Sequence, residues 1–218
     1  MRCHVIIPVG PGHEEIRNRA LESVRIACKT GQGLFADVRV RMVEDLDGGM
    51  GRSKARNFAV GQSDSEWIFF LDSDDVLHPQ AFEAVAELLN APDTVAVFGQ
   101  IAELAGGCVI DRYQAPVTCY SDLLDTDPYL TLQMGHFVRT DIAKTLPFAE
   151  LLDCGEDVDY YLRLWQAHGE HCHKIDVPLM VNDKSHHSTG PRSATGQQWR
   201  AAVTGILDVA RSAENEAA

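Results

Sequence analysis

The sequence predicts an α/β protein whose central sheet is mostly parallel and is flanked by helices. Short apolar segments rich in β-branched and aromatic residues alternate with helical segments through the first half of the chain. The 218 residues suit one domain, and the apolar fraction of 45% is that of an ordinary globular protein. Strands that alternate with helices indicate units of two parallel strands joined by a helix, and such connections are right-handed in nearly all proteins. We therefore expect a single-domain, Rossmann-like sheet.

The first half supplies four strands and three helices in alternation. The predicted strands are Val5–Ile7, Val38–Val43, Trp67–Leu71 and Val95–Phe98, and the predicted helices are Glu14–Lys29, Ser53–Val60 and Pro79–Leu89. The apolar residues of the last helix follow a 3.6-residue period, and proline is favoured in a first helical turn. This order places the carboxyl ends of the first three strands at one edge of the sheet.

The second half is less regular. It contains a polar connector at Thr118–Asp127, a short strand at Phe137–Arg139, a helix at Glu156–His168, an edge strand at Lys174–Val181 that tolerates Pro178, and a helix at Gln197–Ala213. We assign residues 1–196 to the domain and 197–218 to a C-terminal helix and tail. The apolar stripe of that helix is expected to pack on its own domain, and a homodimer is the alternative.

Composition excludes several classes of protein. The net charge of −13 argues against a nucleic-acid surface, which needs clustered Lys and Arg. No apolar stretch approaches the roughly 20 residues of a membrane span. The first apolar segment reaches Pro8 too early for a secretory signal, and the six cysteines form no CxxC pair. We expect a cytoplasmic protein, with a peripheral place at the inner membrane face as an option.

The most informative segment is the Trp67–Leu71 strand, which ends in Asp72, Ser73, Asp74 and Asp75. Ligands of open α/β sheets bind beyond the carboxyl ends of the strands. Carboxylates suit Mg²⁺ and Mn²⁺, which can also bridge to phosphates. Asp72 and Asp74 lie on one side if the extended geometry continues. The alternative is a turn that leads into an acidic helix start.

Five short motifs occur in a fixed order on the predicted elements. They are Val5-Ile6-Ile7-Pro8-Val9, Glu44-Asp45 after the second strand, Ala55-Arg56-Asn57, Phe70-Leu71-Asp72-Ser73-Asp74-Asp75 with Pro79 beyond it, and Glu156-Asp157 followed by Leu162-Arg163-Leu164. Each motif is weak alone, but the five together resemble the inverting family 2 glycosyltransferases with a GT-A fold. The resemblance covers roughly residues 3 to 190. It implies a GT-A domain that transfers a sugar from a nucleoside diphosphate, with a UDP-sugar favoured.

The resemblance also assigns roles on the donor side. Pro8, Val9 and Glu44 would line the donor site, and Asp45 would accept a hydrogen bond from a uracil-type base. Arg56 would meet the phosphates or the base, Asp72 would touch the ribose or a metal-bound water, and Ser73 would also bind the donor. The chain departs from the family pattern after the acidic pair, where Leu46-Asp47 replaces the usual Gly-Ser.

The same resemblance implies a Mn²⁺ or Mg²⁺ ion that bridges the diphosphate. Asp74 would be its direct ligand, and His186 or His187 would complete the site; the alternative for this histidine pair is a solvent-exposed position. A bound cation would also offset the repulsion between an acidic chain and a diphosphate.

The acceptor side centres on Asp157. An inverting transfer needs a carboxylate that takes the proton of the attacking hydroxyl, and the resemblance gives Asp157 this role. The structural alternative is a residue that interacts with the helix dipole. Glu156 would bond to neighbouring backbone or orient the acceptor, a glycan or lipid-linked hydroxyl. The rival functions are a nucleotidyltransferase and a non-catalytic nucleotide-sugar-binding protein.

Overall fold

A computed structural model describes residues 1–105, 107–112, 116–127, 134–183 and 194–217. The strands are β1 (Arg2–Val9), β2 (Asp37–Glu44), β3 (Trp67–Phe70), β4 (Val76–Leu77), β5 (Ala96–Ala105), β6 (Cys108–Asp111), β7 (His136–Arg139) and β8 (Cys172–Asp183). The helices are α1 (Arg17–Thr30), α2 (Arg52–Gly61), α3 (Ala81–Ala84), α4 (Ala86–Asn90), α5 (Tyr120–Asp125), α6 (Thr140–Thr145), α7 (Glu156–His168) and α8 (Gly196–Ala217), with a 3₁₀ turn at Gly169–His171.

Within these residues the strands form one mixed sheet in the order β2-β1-β3-β7-β5-β8-β4, and β6 pairs with β5. Strand β1 runs parallel to β2 and β3, and β5 runs parallel to β8. The other pairs are antiparallel. The longest ladders are parallel, and the predicted α/β class is confirmed.

Both faces of the sheet centre are covered, which explains why the central strands are mostly apolar. Alternate side chains of a strand point to opposite faces. On one face Val5 and Phe69 pack with Val24 of α1. On the other, Ile6 and Phe70 belong to the core that α7 and α8 complete.

The predicted helix at Pro79–Leu89 is wrong in detail. The chain forms strand β4 first and then two short helices, α3 and α4, that meet at Val85. Strand β4 pairs antiparallel with β8, which lies about a hundred residues later in the sequence. A two-residue strand that depends on such a distant partner has no local periodicity to reveal it. The polar connector likewise contains a helix, α5.

Strand β8 is not the edge strand that the sequence predicts, because it lies between β5 and β4. The edge-strand prediction rests on Pro178, and the pairing around this residue is indeed incomplete. Strand β4 pairs only with Met180 and Val181, so Pro178 has β5 as its one strand neighbour in the described sheet. The β5–β8 register also shifts on both sides of Gln100, the partner of Pro178. A missing N–H is tolerated at such an irregular position.

Helix α8 packs on its own domain through the predicted stripe. Val203 and Leu207 are buried in the core with residues of α7, and Trp199 and Ile206 pack against the same core. A homodimer stays a prediction. No helix in the described part of the chain combines the length and apolar character that a membrane span requires.

We expect Val203→Ala to lower the free energy of unfolding by about 2 kcal/mol, because it deletes two buried methyl groups and leaves a cavity. Val203 is 1% exposed, whereas Val209 on the same helix is 72% exposed and provides the matched control Val209→Ala. Urea denaturation of both variants measures the difference. Equal losses in the two variants would contradict the packing of α8.

Candidate active site at the carboxyl ends of three parallel strands

A cleft opens where β1, β2 and β3 end, at the predicted edge of the sheet. It is lined by Pro8, Val9, Gly10, Pro11, His13, Asp45, Gly48, Gly51, Arg52, Ala55, Arg56, Asp72, Ser73 and Asp74. Most of the residues that the sequence assigns to the donor are therefore brought together here. Glu44, Glu156 and Asp157 are not among the lining residues.

The acidic segment after β3 brings oxygen atoms of Asp72, Asp74 and Asp75 within 4.8 Å of one another. Asp75 is buried and faces away from solvent: its carboxylate accepts hydrogen bonds from Asn182 Nδ2 at 2.9 Å and from the Asp183 N–H at 3.1 Å. Burial and the neighbouring acids raise its pKa well above the usual value. Asp75 therefore ties this segment to the end of β8.

Asp74 has the electrostatic character of a cation ligand. Burial, and then the charge of Asp72, raise its pKa to about 7. A hard divalent cation beside these carboxylates would offset both the desolvation and the repulsion. The donor set of the described residues, which consists of carboxylate oxygens, thus fits Mg²⁺ or Mn²⁺.

His13 is a site residue that sequence reasoning misses. The turn after β1 places its Nδ1 2.8 Å from Ser73 Oγ and its Nε2 3.9 Å from Asp74 Oδ2. The side chain is almost fully buried. The only sequence signal is a histidine that directly follows the Gly10-Pro11-Gly12 turn, and this signal is too common to identify a site.

Asp45 shapes the loop that borders the cleft. Its carboxylate accepts hydrogen bonds from the N–H groups of Met50 at 2.9 Å and of Gly51 at 2.6 Å. Gly51 has φ of 81°, which favours glycine, and helix α2 begins at the next residue. Asp45 therefore holds the loop in place while it lines the cleft.

Glu44 does not line the cleft with Asp45, and its predicted donor-binding role stays a prediction. Its exposed side chain forms an ion pair with Arg17 of α1. Consecutive residues at a strand end point in opposite directions, so only one member of the Glu44-Asp45 pair can face the cleft.

Arg56 is the best-buried cation of the site, with 1% of the residue exposed. Its Nη2 lies 2.6 Å from Asp72 Oδ1, and its Nη1 lies 3.0 Å from Glu156 Oε1. The guanidinium also stacks over the Phe148 ring, 5.2 Å from the centroid. Arg52 lies one turn earlier on α2, and its Nε is 3.4 Å from the same oxygen of Glu156.

The Glu156-Asp157 pair opens helix α7, as predicted. Gly155 precedes it with φ of 79°, a left-handed conformation that a β-carbon would strain. Glu156 is 2% exposed and bonds to arginine side chains, not to the neighbouring backbone that the sequence suggested. Asp157 is half-buried, and its Oδ1 accepts a hydrogen bond from the Val158 N–H at 2.9 Å.

Asp157 has the pKa of a group that exchanges protons near neutrality. Burial, and then the charge of Glu156, raise this pKa to about 7. Arg56 lowers it to a smaller extent, so Asp157 lies within electrostatic reach of the Asp72–Arg56 pair. The predicted metal ligands His186 and His187 lie outside the described residues.

The sheet, the cleft and the acidic segment together define a GT-A fold with a candidate site for a nucleotide-sugar. A family model described as glycosyl transferase family 2 matches residues 24–134, and the chain belongs to this family. No curated protein sequence matches this chain.

Several solved structures share the fold. S. aureus TarS 1–349 in complex with UDP-GlcNAc matches with a TM-score of 0.68 and 17% identity, over 96% of this chain and 66% of that one. Glucosyl-3-phosphoglycerate synthase from Mycobacterium tuberculosis, in complex with Mn²⁺, UDP-glucose and phosphoglyceric acid, matches with a TM-score of 0.56 and 14% identity, over 94% of this chain and 79% of that one. The chain spans 60 to 66% of the length of TarS 1–349.

Proposed function

We propose that this protein transfers a sugar from a nucleoside diphosphate, with UDP favoured, to an acceptor hydroxyl with inversion of the anomeric centre. The observation that carries the proposal is the Asp72–Asp74 segment, whose acids converge at the end of a buried strand and line the cleft. Family membership supports the reaction class. The UDP-sugar complexes of two proteins with this fold support the donor.

On the donor side, Asp45 is the residue we assign to the nucleobase. It lines the cleft, and its carboxylate oxygens retain lone pairs beyond the two backbone hydrogen bonds. Pro8 and Val9 border the same space, and Asp72 and Ser73 lie across it, where the ribose and diphosphate would bind.

Asp74 is the residue that would hold Mn²⁺ or Mg²⁺, completed by His186 or His187. A bound cation supplies Lewis-acid stabilisation of the leaving diphosphate. His13 orients Ser73 next to Asp74, and Arg56 fixes Asp72 by an ion pair. These contacts keep the acidic segment in one geometry before the donor arrives.

Asp157 is the group we assign to the acceptor proton. Its pKa of about 7 leaves it partly deprotonated at neutral pH and makes it a stronger base than an ordinary aspartate. Glu156 lies beside it, and we place the acceptor, a glycan or lipid-linked hydroxyl, on this side of Arg56. The six free cysteines suit a reducing, cytoplasmic compartment.

A panel of UDP- and GDP-sugars, assayed with Mn²⁺ for release of nucleoside diphosphate, tests the proposal. We expect release from one donor, first to water and faster when the correct acceptor is added. Release of pyrophosphate from a nucleoside triphosphate and a sugar phosphate would favour a nucleotidyltransferase instead. Binding of a donor without turnover across a broad acceptor panel would favour a non-catalytic binding protein.

A further inference from the structure

A buried chain of charges links the acidic segment to the start of α7. It runs from Asp72 through Arg56 to Glu156, with Arg52 on its outer side. We propose that Glu156 is a positioning residue that acts on the cation site through Arg56 and makes no contact with the acceptor. This inference rests on the proposed function, because it concerns the cation that Asp74 would hold.

The geometry allows Glu156 to influence Asp72 through Arg56. Its two terminal nitrogens bond to different acids, at 2.6 Å to Asp72 and 3.0 Å to Glu156, so the planar guanidinium cannot turn without losing one of them. The Phe148 ring supports the same plane. Asp72 belongs to the loop after β3 and Glu156 to α7, and the two segments therefore share one rigid cation.

Burial separates Glu156 from the acceptor. Only 2% of the residue is exposed, and its Oε1 already faces both Arg52 and Arg56. Asp157, the next residue, is more exposed and has no arginine partner at hydrogen-bond distance among the described residues. Consecutive helical positions point in different directions, so Glu156 faces the donor side while Asp157 remains available to the acceptor.

The balance of charges predicts whether loss of Glu156 strengthens or weakens cation binding. Arg56 carries one positive charge, and Asp72 and Glu156 share it. If Glu156 becomes neutral, the charge of Arg56 is balanced by Asp72 alone, and Asp72 is then less able to attract a divalent cation. Coupling of this kind between two positions is reciprocal and commonly amounts to about fivefold or more in affinity.

The test is a titration of the full chain with Mn²⁺. The electron paramagnetic resonance signal of free Mn²⁺ measures how much of the ion is bound. Glu156→Gln is nearly isosteric and can still accept a hydrogen bond from Arg56. We expect it to weaken Mn²⁺ binding about fivefold or more. Asp159→Asn is the matched control, since Asp159 is also in the first turn of α7 but pairs with Arg163 at 2.7 Å. We expect no measurable change there.

A second pair of variants keeps the test valid if Glu156→Gln does not fold. Arg52→Gln leaves Glu156 wholly to Arg56, and we expect it to tighten Mn²⁺ binding. Lys54→Gln, at an exposed position of α2, removes the same formal charge without touching the chain of ion pairs and is expected to have less effect.

The outcomes separate this inference from the proposed function. Wild-type affinity in Glu156→Gln, or an equal loss in Asp159→Asn, would overturn the role of Glu156 and leave the glycosyltransferase proposal in place. In the second pair, equal effects of Arg52→Gln and Lys54→Gln would also overturn it. A wild-type chain that does not bind Mn²⁺ would overturn both the proposed cation and the coupling.

Discussion

Replacing Asp157 by Asn is expected to slow sugar transfer at least about a hundredfold, because the amide cannot take the proton of the acceptor hydroxyl. The side-chain oxygen can still accept the hydrogen bond from the Val158 N–H, so the start of α7 should be retained. Donor affinity should stay close to that of the wild type. The measurements are the rate of sugar transfer and the affinity for UDP, each for the wild type and for Asp157→Asn.

The pH profile provides an independent readout of the same residue. Burial and the charge of Glu156 raise the pKa of Asp157 to about 7. A base must be deprotonated to act, so turnover should rise as the pH increases through about 7, and this rise should be absent in the variant. A carboxyl group with a raised pKa in the folded state also makes stability fall as the pH increases from its unfolded pKa toward about 7. Asp157→Asn should therefore be relatively more stable at neutral pH.

Asp159→Asn is the control for both measurements. Asp159 lies on the same helical turn and pairs with Arg163. If Asp157→Asn transfers sugar at the wild-type rate with normal donor binding, Asp157 is only a helix-start residue and the base lies elsewhere.

Asp74→Asn should remove most of the metal-dependent part of nucleotide binding. The acid lies in the cleft beside Asp72, and its raised pKa reflects burial and repulsion that a cation would relieve. Titration calorimetry with UDP and GDP, first with Mn²⁺ and then with EDTA, should show strong binding to the wild type only in the presence of the ion. In the variant the two conditions should give similar, weak affinities.

The control for this variant is Asp47→Asn. Asp47 is an exposed acid of the neighbouring loop and accepts a hydrogen bond from the Gly49 N–H. Asp47→Asn changes the net charge by the same amount as Asp74→Asn but leaves the acidic segment unchanged. Equal UDP affinity of the wild type with Mn²⁺ and with EDTA would exclude a role for the metal in nucleotide binding.

Sequence patterns predict the parts of this fold that depend on local order. The strand Trp67–Phe70 and the helix Glu156–His168 are confirmed at or within one residue of their predicted bounds. An unbroken apolar run marks the strand, and a 3.6-residue apolar period marks the helix. Strand β4 and the β5–β6 hairpin are missed. Strand β4 depends on a partner about a hundred residues away, which no local pattern contains. The β5–β6 hairpin is local, with Ala105 paired to Cys108, and the sequence prediction ended the strand at Phe98 before reaching it.

In the candidate site, too, the sequence predicts features with a local pattern and misses contacts between distant residues. The acids after β3 stand out because carboxylates end an apolar strand. The contacts of His13 with Ser73 and of Arg56 with Glu156 join residues 60 and 100 positions apart, and no local pattern contains that information. The sequence also presents two adjacent acids, Glu44 and Asp45, without showing that the backbone turns only Asp45 to the cleft.

Helix α8 bears directly on the turn that presents Asp157. A β-carbon at Gly155 would lie 3.0 Å from Ile206 Cδ1 and 3.5 Å from Val203 Cγ2, so the left-handed turn before Glu156 rests against this helix. During synthesis these contacts form only after α8 has left the ribosome. A nascent chain that has already completed its cleft would still lack the contacts of α8 that support the turn before Glu156 and Asp157.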